Sequence, residues 1–319
     1  MLLAGTTDGV YRISDKETFE SEHVLETDRA MRVRTFDSVG GAFAATKSGL
    51  YHSLDGTDWI ELGVPRAEVY SVAVSPSGNR LYAGTHPAHM YVSTSFAPES
   101  DDRACEWEEL TGFQELPSRS EWHTPRHRNE AHVRSLGVHP ETPERLIAGV
   151  EVGGVHVSED RGETWDERRI AFDARHSNDV HHVLLLGSDR YVASTGSGLY
   201  RTTDAGHSWT RIDDAVDHSY FREAFTADGR LYAAAARNPP PTWGGELGPD
   251  AALFESSDDG DSFETVSSPG GPNEFVLAWT TDDESVYAGT RGGYVLRRAE
   301  GEWTEVGQLP VSIRSLTRL

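Results

Sequence analysis

One phrase, repeated around the chain, limits the fold more than any other feature of the sequence. RLIAGVEVGGVHVSEDRGETWDER, residues 145 to 168, reads as strand, tight turn, strand and then Ser158-x-Asp160-x-Gly162-x-x-Trp165. It recurs as YVASTGSGLYRTTDAGHSWTRI from Tyr191, as FESSDDGDSFETV from Phe254 with Phe263 in place of the Trp, and in shortened form as GLYHSLDGTDWIEL from Gly49. Alignment on the small-residue strand gives seven copies, whose alanines are Ala4, Ala44, Ala83, Ala148, Ala193, Ala233 and Ala288. A period of about 40 residues belongs to propellers or solenoids, and seven units of four short strands make an all-β, seven-bladed β-propeller.

An apolar strand precedes six of the copies: VRTFDS from Val33, VYSVAVS from Val69, VRSLGVH from Val133, VHHVLLLG from Val180, FREAFTAD from Phe221 and FVLAWTTD from Phe275. The seventh such strand, IRSLTRL from Ile313, lies at the other end of the chain from the copy that lacks one, which begins at Met1. The expectation is a single domain in which the C-terminal strand pairs with the N-terminal blade and removes the open sheet edges. Blade 1 then comprises residues 313–319 plus 1–27 and blade 2 residues 31–63, followed by 68–113, 131–170, 178–213, 219–267 and 274–306. Residues 96–131 and 237–250 break the period, and insertions of this kind commonly line the binding face of a repeat scaffold.

The charge balance narrows the partners. Twenty-nine basic residues against 52 acidic ones leave a net charge of -23, and the only lysines are Lys16 and Lys47. So acidic a chain is a poor partner for nucleic acid or anionic lipid, both of which need a positive footprint. With 37% hydrophobic residues it can still bury a core, and the composition looks like that of cytosolic proteins from salt-loving archaea. Cys105 is the only cysteine, which excludes an intrachain disulfide. The start, MLLAGTTDGVYRISD, has neither a positive n-region nor a long apolar run; no signal peptide or membrane anchor is expected, and a cytoplasmic location is.

The Ser-x-Asp-x-Gly-x-x-Trp phrase resembles the Asp-box, or BNR, repeat of sialidases, sortilin-type receptors and photosystem assembly-factor-like propellers, and the resemblance runs through almost the whole chain. In such a turn the Asp accepts N–H bonds from its own loop, Gly supplies a positive φ, and the aromatic ring anchors the turn in the blade. Asp55, Asp160, Asp204 and Asp258 are therefore expected to be structural, on the face opposite the binding mouth that the resemblance implies. HVRSLGVHPETPERLIAGVEVGGVHVSEDRGETW and NDVHHVLLL look like central blades of bacterial BNR proteins labelled glycosyl hydrolases. Sialidases themselves combine six blades with an Arg-Ile-Pro motif. Here the count is seven, no Arg-Ile-Pro occurs, and only Tyr220 with Glu223 suggests their Tyr-Glu pair, so sialidase activity is not expected.

The second residues of the inner strands are Arg34, Tyr70, Arg134, His181, Arg222, Val276 and Arg314. Two residues earlier, on the same strand face, stand Arg32, Glu68, His132, Asp179, Tyr220, Glu274 and Ser312. Four arginines at one repeat position of an acidic chain imply a positive collar around the axis. One reading is a site for an anionic or polyhydroxylated ligand, gripped by Arg134, Arg222 and Arg314 and lined by Arg34, Tyr70, His132 and His181. The other is pairing of the arginines with carboxylates of neighbouring blades. Trp243, within PPPTWGG, and Trp122 offer stacking surfaces for a sugar, or caps for the core. Hydrolysis needs two carboxylates about 5 to 5.5 Å or about 6.5 to 9.5 Å apart, for which Glu68, Asp179 and Glu274 are the candidates by ring position. His86-x-x-His89 has ligand spacing, but no complete metal set is visible in the sequence and no cofactor is implied.

Two functions emerge. One is a binding or assembly scaffold, for an anionic or carbohydrate small molecule or a partner protein, with its mouth between residues 114–131 and 237–250. The other is a glycosidase- or lyase-like enzyme at the same mouth. The charge carries its own prediction: about 1 M salt shortens the Debye length to roughly 3 Å and screens self-repulsion. The melting temperature should therefore rise from dilute buffer to multimolar KCl; equal melting temperatures would contradict the halophilic reading.

Overall fold

In a computed structural model that describes every residue except 16–17, 99–104, 171–175 and 283, the chain forms seven four-stranded antiparallel sheets. Each blade is laid down from the axis outward, so that blade four runs His132–Val138, Leu146–Glu151, Gly154–Ser158 and Asp166–Glu167. The other inner strands are Ala30–Phe36, Val69–Val74, Val180–Leu185, Tyr220–Ala227, Val276–Thr281 and Ile313–Arg318. Each packs beside the next, and the last packs beside the first. The result is a closed seven-bladed β-propeller.

Both faces of a blade lie against neighbours, which is why the inner two strands read as nearly unbroken apolar runs. Val69–Val74 and Leu81–Thr85 are buried at every position. Among the described residues the buried apolar side chains fall into seven clusters, one at each boundary between blades. The Ala-Gly pair of the second strand follows from this packing. A Cβ added to Gly84 would lie 2.6 Å from Val133 of the next blade, and one on Gly289 would lie 2.4 Å from Ile313. Only the bare backbone lets the neighbouring inner strand approach so closely.

Closure is made by Ile313–Arg318, which pairs antiparallel with Leu2–Thr6 in the register Leu3 to Thr317 and Ala4 to Leu316. Ser315 Oγ also accepts the Val33 N–H at 3.1 Å and donates to the Val33 carbonyl at 3.2 Å. Blade one is thereby tied to blade two through the strand that closes it.

The Ser/Thr-x-Asp-x-Gly turns have the structural role expected of them. Asp160 Oδ1 accepts the Thr164 N–H at 2.9 Å and its Oδ2 accepts the Thr164 hydroxyl at 2.6 Å. Asp204 and Asp258 bind Ser208 and Ser262 in the same way, and Asp55 accepts from Thr57 and Asp58. These hydrogen bonds hold Asp204 and Asp258 down at about 2. The turns join the third and fourth strands, so they lie on the face where the inner strands end. There Arg145 bridges Glu159 at 2.9 Å and Asp189 at 2.6 Å, and Arg201 reaches Asp261 at 2.7 Å. Trp209 donates its indole N–H to the Arg168 carbonyl of the preceding blade at 2.9 Å.

Deleting residues 313–319 exposes the Leu2–Thr6 edge and removes the Ser315 tie. The expected result is loss of the cooperative thermal transition, or aggregation, read by calorimetry. A truncated chain that melts like the full-length one would overturn this account of closure.

Candidate functional site at the axial mouth

At the face where the inner strands begin, the ladder of each inner strand contains a bulge. In blade four Val133 pairs with Val150 and Ser135 with Gly149, so Arg134 is the extra residue. The same irregularity sets out Tyr70, His181, Leu277 and Arg314 and, in blade two, Met31. In blade six Arg222 and Glu223 together face Ala234. A β-bulge bends its strand and re-aims the side chain it carries. Here the bulged side chains meet at the axis: Arg314 of blade one feels Arg134 of blade four, Tyr220 of blade six and Tyr70 of blade three.

The register corrects two ring positions. Ala30, not Val33, is the counterpart of Val133, so blade two gives Met31 to the collar, and Arg34 sits two layers further down, level with Ala73 and Gly137. In blade seven Val276 pairs with Thr290, which puts Leu277 in the collar and the fully buried Phe275 in the outer ring, where Glu274 was expected. Likewise Arg29, not Arg32, precedes the blade-two strand at the outer-ring position. Both misplacements come from aligning on the first conspicuous apolar residue, which is Val33 in one blade and Phe275 in the other.

Each of the three candidate carboxylates has partners of its own. Glu68 takes Arg128 at 2.6 Å and His86 at 3.1 Å. Asp179 takes Arg126 and His176, both at 2.8 Å. Glu274 instead accepts the Gly292 N–H at 2.9 Å. A fourth acid, unmarked by any repeat position, joins them at the mouth. Glu151, 3% exposed at the end of its strand, receives the Arg134 guanidinium and lies 3.2 Å from both His127 and His132. Burial works to raise its pKa, but Arg134 and His132 hold it well below the usual range. Arg126, His127 and Arg128 come from the long connection between blades three and four. His127, Arg128 and Asn129 all have positive φ, at 50°, 58° and 61°, a conformation that costs non-glycine residues of order 1–2 kcal/mol each. Turn composition alone marked this strap; its aim over the mouth came only with the fold.

The arginines divide into paired and unpaired. Arg134 is bound to Glu151. Arg222, 4% exposed, and the half-buried Arg314 form no side-chain hydrogen bond or ion pair with any described residue. Burial, and then Arg29 and Arg134 close by, lower Arg314 to about 10. Tyr70 packs at a tilt against His132, ring centroids 4.2 Å apart, and Tyr220 against His181 at 4.7 Å; burial raises both phenols and so keeps them protonated donors. Beside this collar a cavity of about 500 Å³ opens between the strap and the proline loop, bounded by Pro125, Arg126, Asp179, Tyr220 and Pro240. Trp243 caps the boundary of blades six and seven, edge-on to Tyr220 at 5.4 Å and to Phe275 at 5.2 Å. Trp122 is fully buried, donating to Ser118.

His86 and His89 diverge, the latter to Glu109 at 2.5 Å. A different trio, His127, His132 and Glu151, brings its ligand atoms within 4.8 Å of one another. A cation entering that trio would have to displace Arg134 from the carboxylate it neutralises.

No protein-family model matches the chain, and no curated protein matches it. Solved structures do. A GH74 xyloglucanase from Xanthomonas campestris aligns over 86% of this chain and 45% of its own, with 18% identity and a TM-score of 0.62. The WD40 β-propeller domain of Doa1 aligns over 90% and 84%, with 14% identity and a TM-score of 0.62. YCF48 bound to D1 peptide aligns over 86% and 81%, with 16% identity and a TM-score of 0.58. The chain spans less than half the length of the GH74 structures, and at these identities the likeness concerns the propeller fold.

Four buried histidines make stability depend on pH. Burial pushes His132 to about 4 and His156, His181 and His182 to about 3. The unfolded chain protonates them near pH 6.5 while the folded one does not, so it binds more protons throughout the interval between. Stability should therefore be full above pH 6.5 and fall toward pH 4, by up to about 1.4 kcal/mol per pH unit for each histidine. Urea midpoints measured at constant salt from pH 7.5 to 4.5 test this; a flat profile would refute it.

Proposed function

We propose that the protein is a binding propeller whose axial mouth receives the carboxylate of an acidic ligand or partner. The observation that carries this reading is the pair Arg222 and Arg314, placed at the axis with no acid partner among the described residues. A buried guanidinium without a counter-charge loses several kcal/mol of hydration, and an incoming carboxylate supplies what the chain withholds. Arg222 and Arg314, with the phenols of Tyr70 and Tyr220, can donate to both oxygens of such a group.

The regular turns support assignment to the Asp-box, or BNR, type of propeller, and the lysine-poor acidic surface supports a halophilic, cytoplasmic setting. Among the described residues, no helix is long and apolar enough to cross a membrane. The YCF48 structure, captured with a peptide and similar over most of both chains, supports the scaffold reading over the enzymatic one. So does the state of the acids: Glu68 and Glu151 are held below their ordinary range, whereas a general acid needs its pKa raised.

Calorimetric titration in high KCl with sugar acids, small dicarboxylates and their neutral amides tests this. Acids should bind and amides should not, and Arg222→Gln or Arg314→Gln should each weaken binding about tenfold or more. Equal binding of acid and amide would exclude the site, and turnover of a glycoside at the mouth would favour the hydrolase.

A further inference from the structure

The opposite end of the axial channel holds a second charge that the mouth does not use. Beneath the collar, Arg32 of blade two crosses the axis to Glu223 of blade six at 2.5 Å, with His182 Nε2 3.9 Å from the same carboxylate. One layer further down the register aligns Arg34, Ala73, Gly137, Leu184, Phe225, Thr280 and Thr317. Arg34 is the one charged residue of that ring. The small side chains of Ala73 and Gly137 leave space for it to reach past blade three, and it donates to the Leu136 carbonyl of blade four at 3.3 Å. That is its only hydrogen bond to a described residue, and it has no ion pair among them.

Arg34 stands between two cavities, of about 370 and about 200 Å³, and lines both. The larger reaches the turn at His139 and Pro140, on the face of the structural Asp turns, and sets the apolar side chains Phe36, Val74, Val138 and Leu185 beside the polar Arg34, His139 and His182. Phe36, Val138 and Leu185 are only half-buried, although they lie at the centre of the ring. Arg32 and Glu223 cancel, and burial pushes His182 to about 3, which leaves it neutral. The local surplus is one positive charge at the edge of a vestibule that is part apolar and part polar.

We infer that this vestibule is a second binding site, for a small amphipathic monocarboxylate whose acid group sits on Arg34 and whose hydrocarbon tail lies against Phe36, Val138 and Leu185. A dianion is disfavoured by Glu223, and a bare inorganic ion leaves the apolar wall wet. The inference stands apart from the proposal for the mouth, because the Arg32–Glu223 crossing lies between the two sites.

Calorimetry on the full chain at constant ionic strength, with acetate, butyrate, hexanoate, hexanol, phosphate and chloride, decides it. Affinity should rise about fourfold per methylene from acetate to hexanoate, and hexanol and phosphate should bind at least tenfold more weakly than hexanoate. In an Arg222→Gln background, which silences the mouth, Arg34→Gln should cost about tenfold or more, and Val138→Trp should abolish the gain from chain length while sparing acetate. Equal affinities along the series, or chloride as effective as hexanoate, would reduce the site to a general anion contact and overturn the inference. Loss of hexanoate binding in Arg222→Gln would place it at the mouth, and overturn it equally.

Discussion

The contact between the Ala-Gly second strand of one blade and the inner strand of the next sets the geometry of everything else. It is tight enough that Gly84 and Gly289 cannot carry a Cβ without displacing Val133 and Ile313, and the small residues Ala45, Ser194 and Ala234 hold the same place in blades two, five and six of the ring that closes on Ile313–Arg318. Once the ring is closed, seven inner strands converge on an axis with no room for large apolar side chains from all of them. The bulges meet that constraint. By adding one residue to each inner strand they set Tyr70, Arg134, His181, Arg222 and Arg314 toward the axis, where Arg134 meets Glu151 and His181 the Phe221 carbonyl, partners that an aliphatic core would deny them.

The axis is therefore a column of stacked polar layers. Serines tie adjacent blades at one level: Ser71 donates to the Val133 carbonyl at 2.7 Å, and Ser135 accepts the Val183 N–H at 3.0 Å. At the same level the residues from blades two and six are charged and cross the channel as Arg32 and Glu223. The collar just above is rich in arginine. Glu151 offsets Arg134, while Asp179 and Glu68 are taken up by Arg126 and Arg128 of the strap, which leaves Arg222 and Arg314 unmatched among the described residues. In a chain of net charge -23, such a concentration of cations attracts an anion to one place and repels it from the rest of the surface.

The repeat made the architecture legible, because strand period, small-residue pairs and Ser/Thr-x-Asp-x-Gly turns are local patterns that the fold preserves. The closing strand was legible for the same reason: IRSLTRL has the form of an inner strand and the Met1 copy lacks one. The collar was legible only in part. A bulge adds a residue without altering composition, so an alignment by apolar character slips wherever the marker residue is weak, as Ala30 is beside Val33. Arg34 was thus placed two layers too high and Glu274 put in the position of Phe275. The strap was legible only as a break in the period and Glu151 not at all, since a turn acid and an arginine in a long connection acquire meaning only when the ring brings them over the same point.

That slip of Arg34 also separates two environments that a single collar would have merged. At the mouth, cations are surrounded by histidine, tyrosine and competing acids, so a ligand there is selected by how many donors it can satisfy. Below the Arg32–Glu223 crossing, one cation faces apolar side chains, and selection falls to the tail that a ligand presents to Phe36, Val138 and Leu185. Removing either partner of the crossing would leave its mate buried and uncompensated, at about 3–5 kcal/mol. The pair therefore serves as a wall as well as a brace: it holds blade two against blade six, and it keeps the charges at the two ends of the channel from acting on the same ligand.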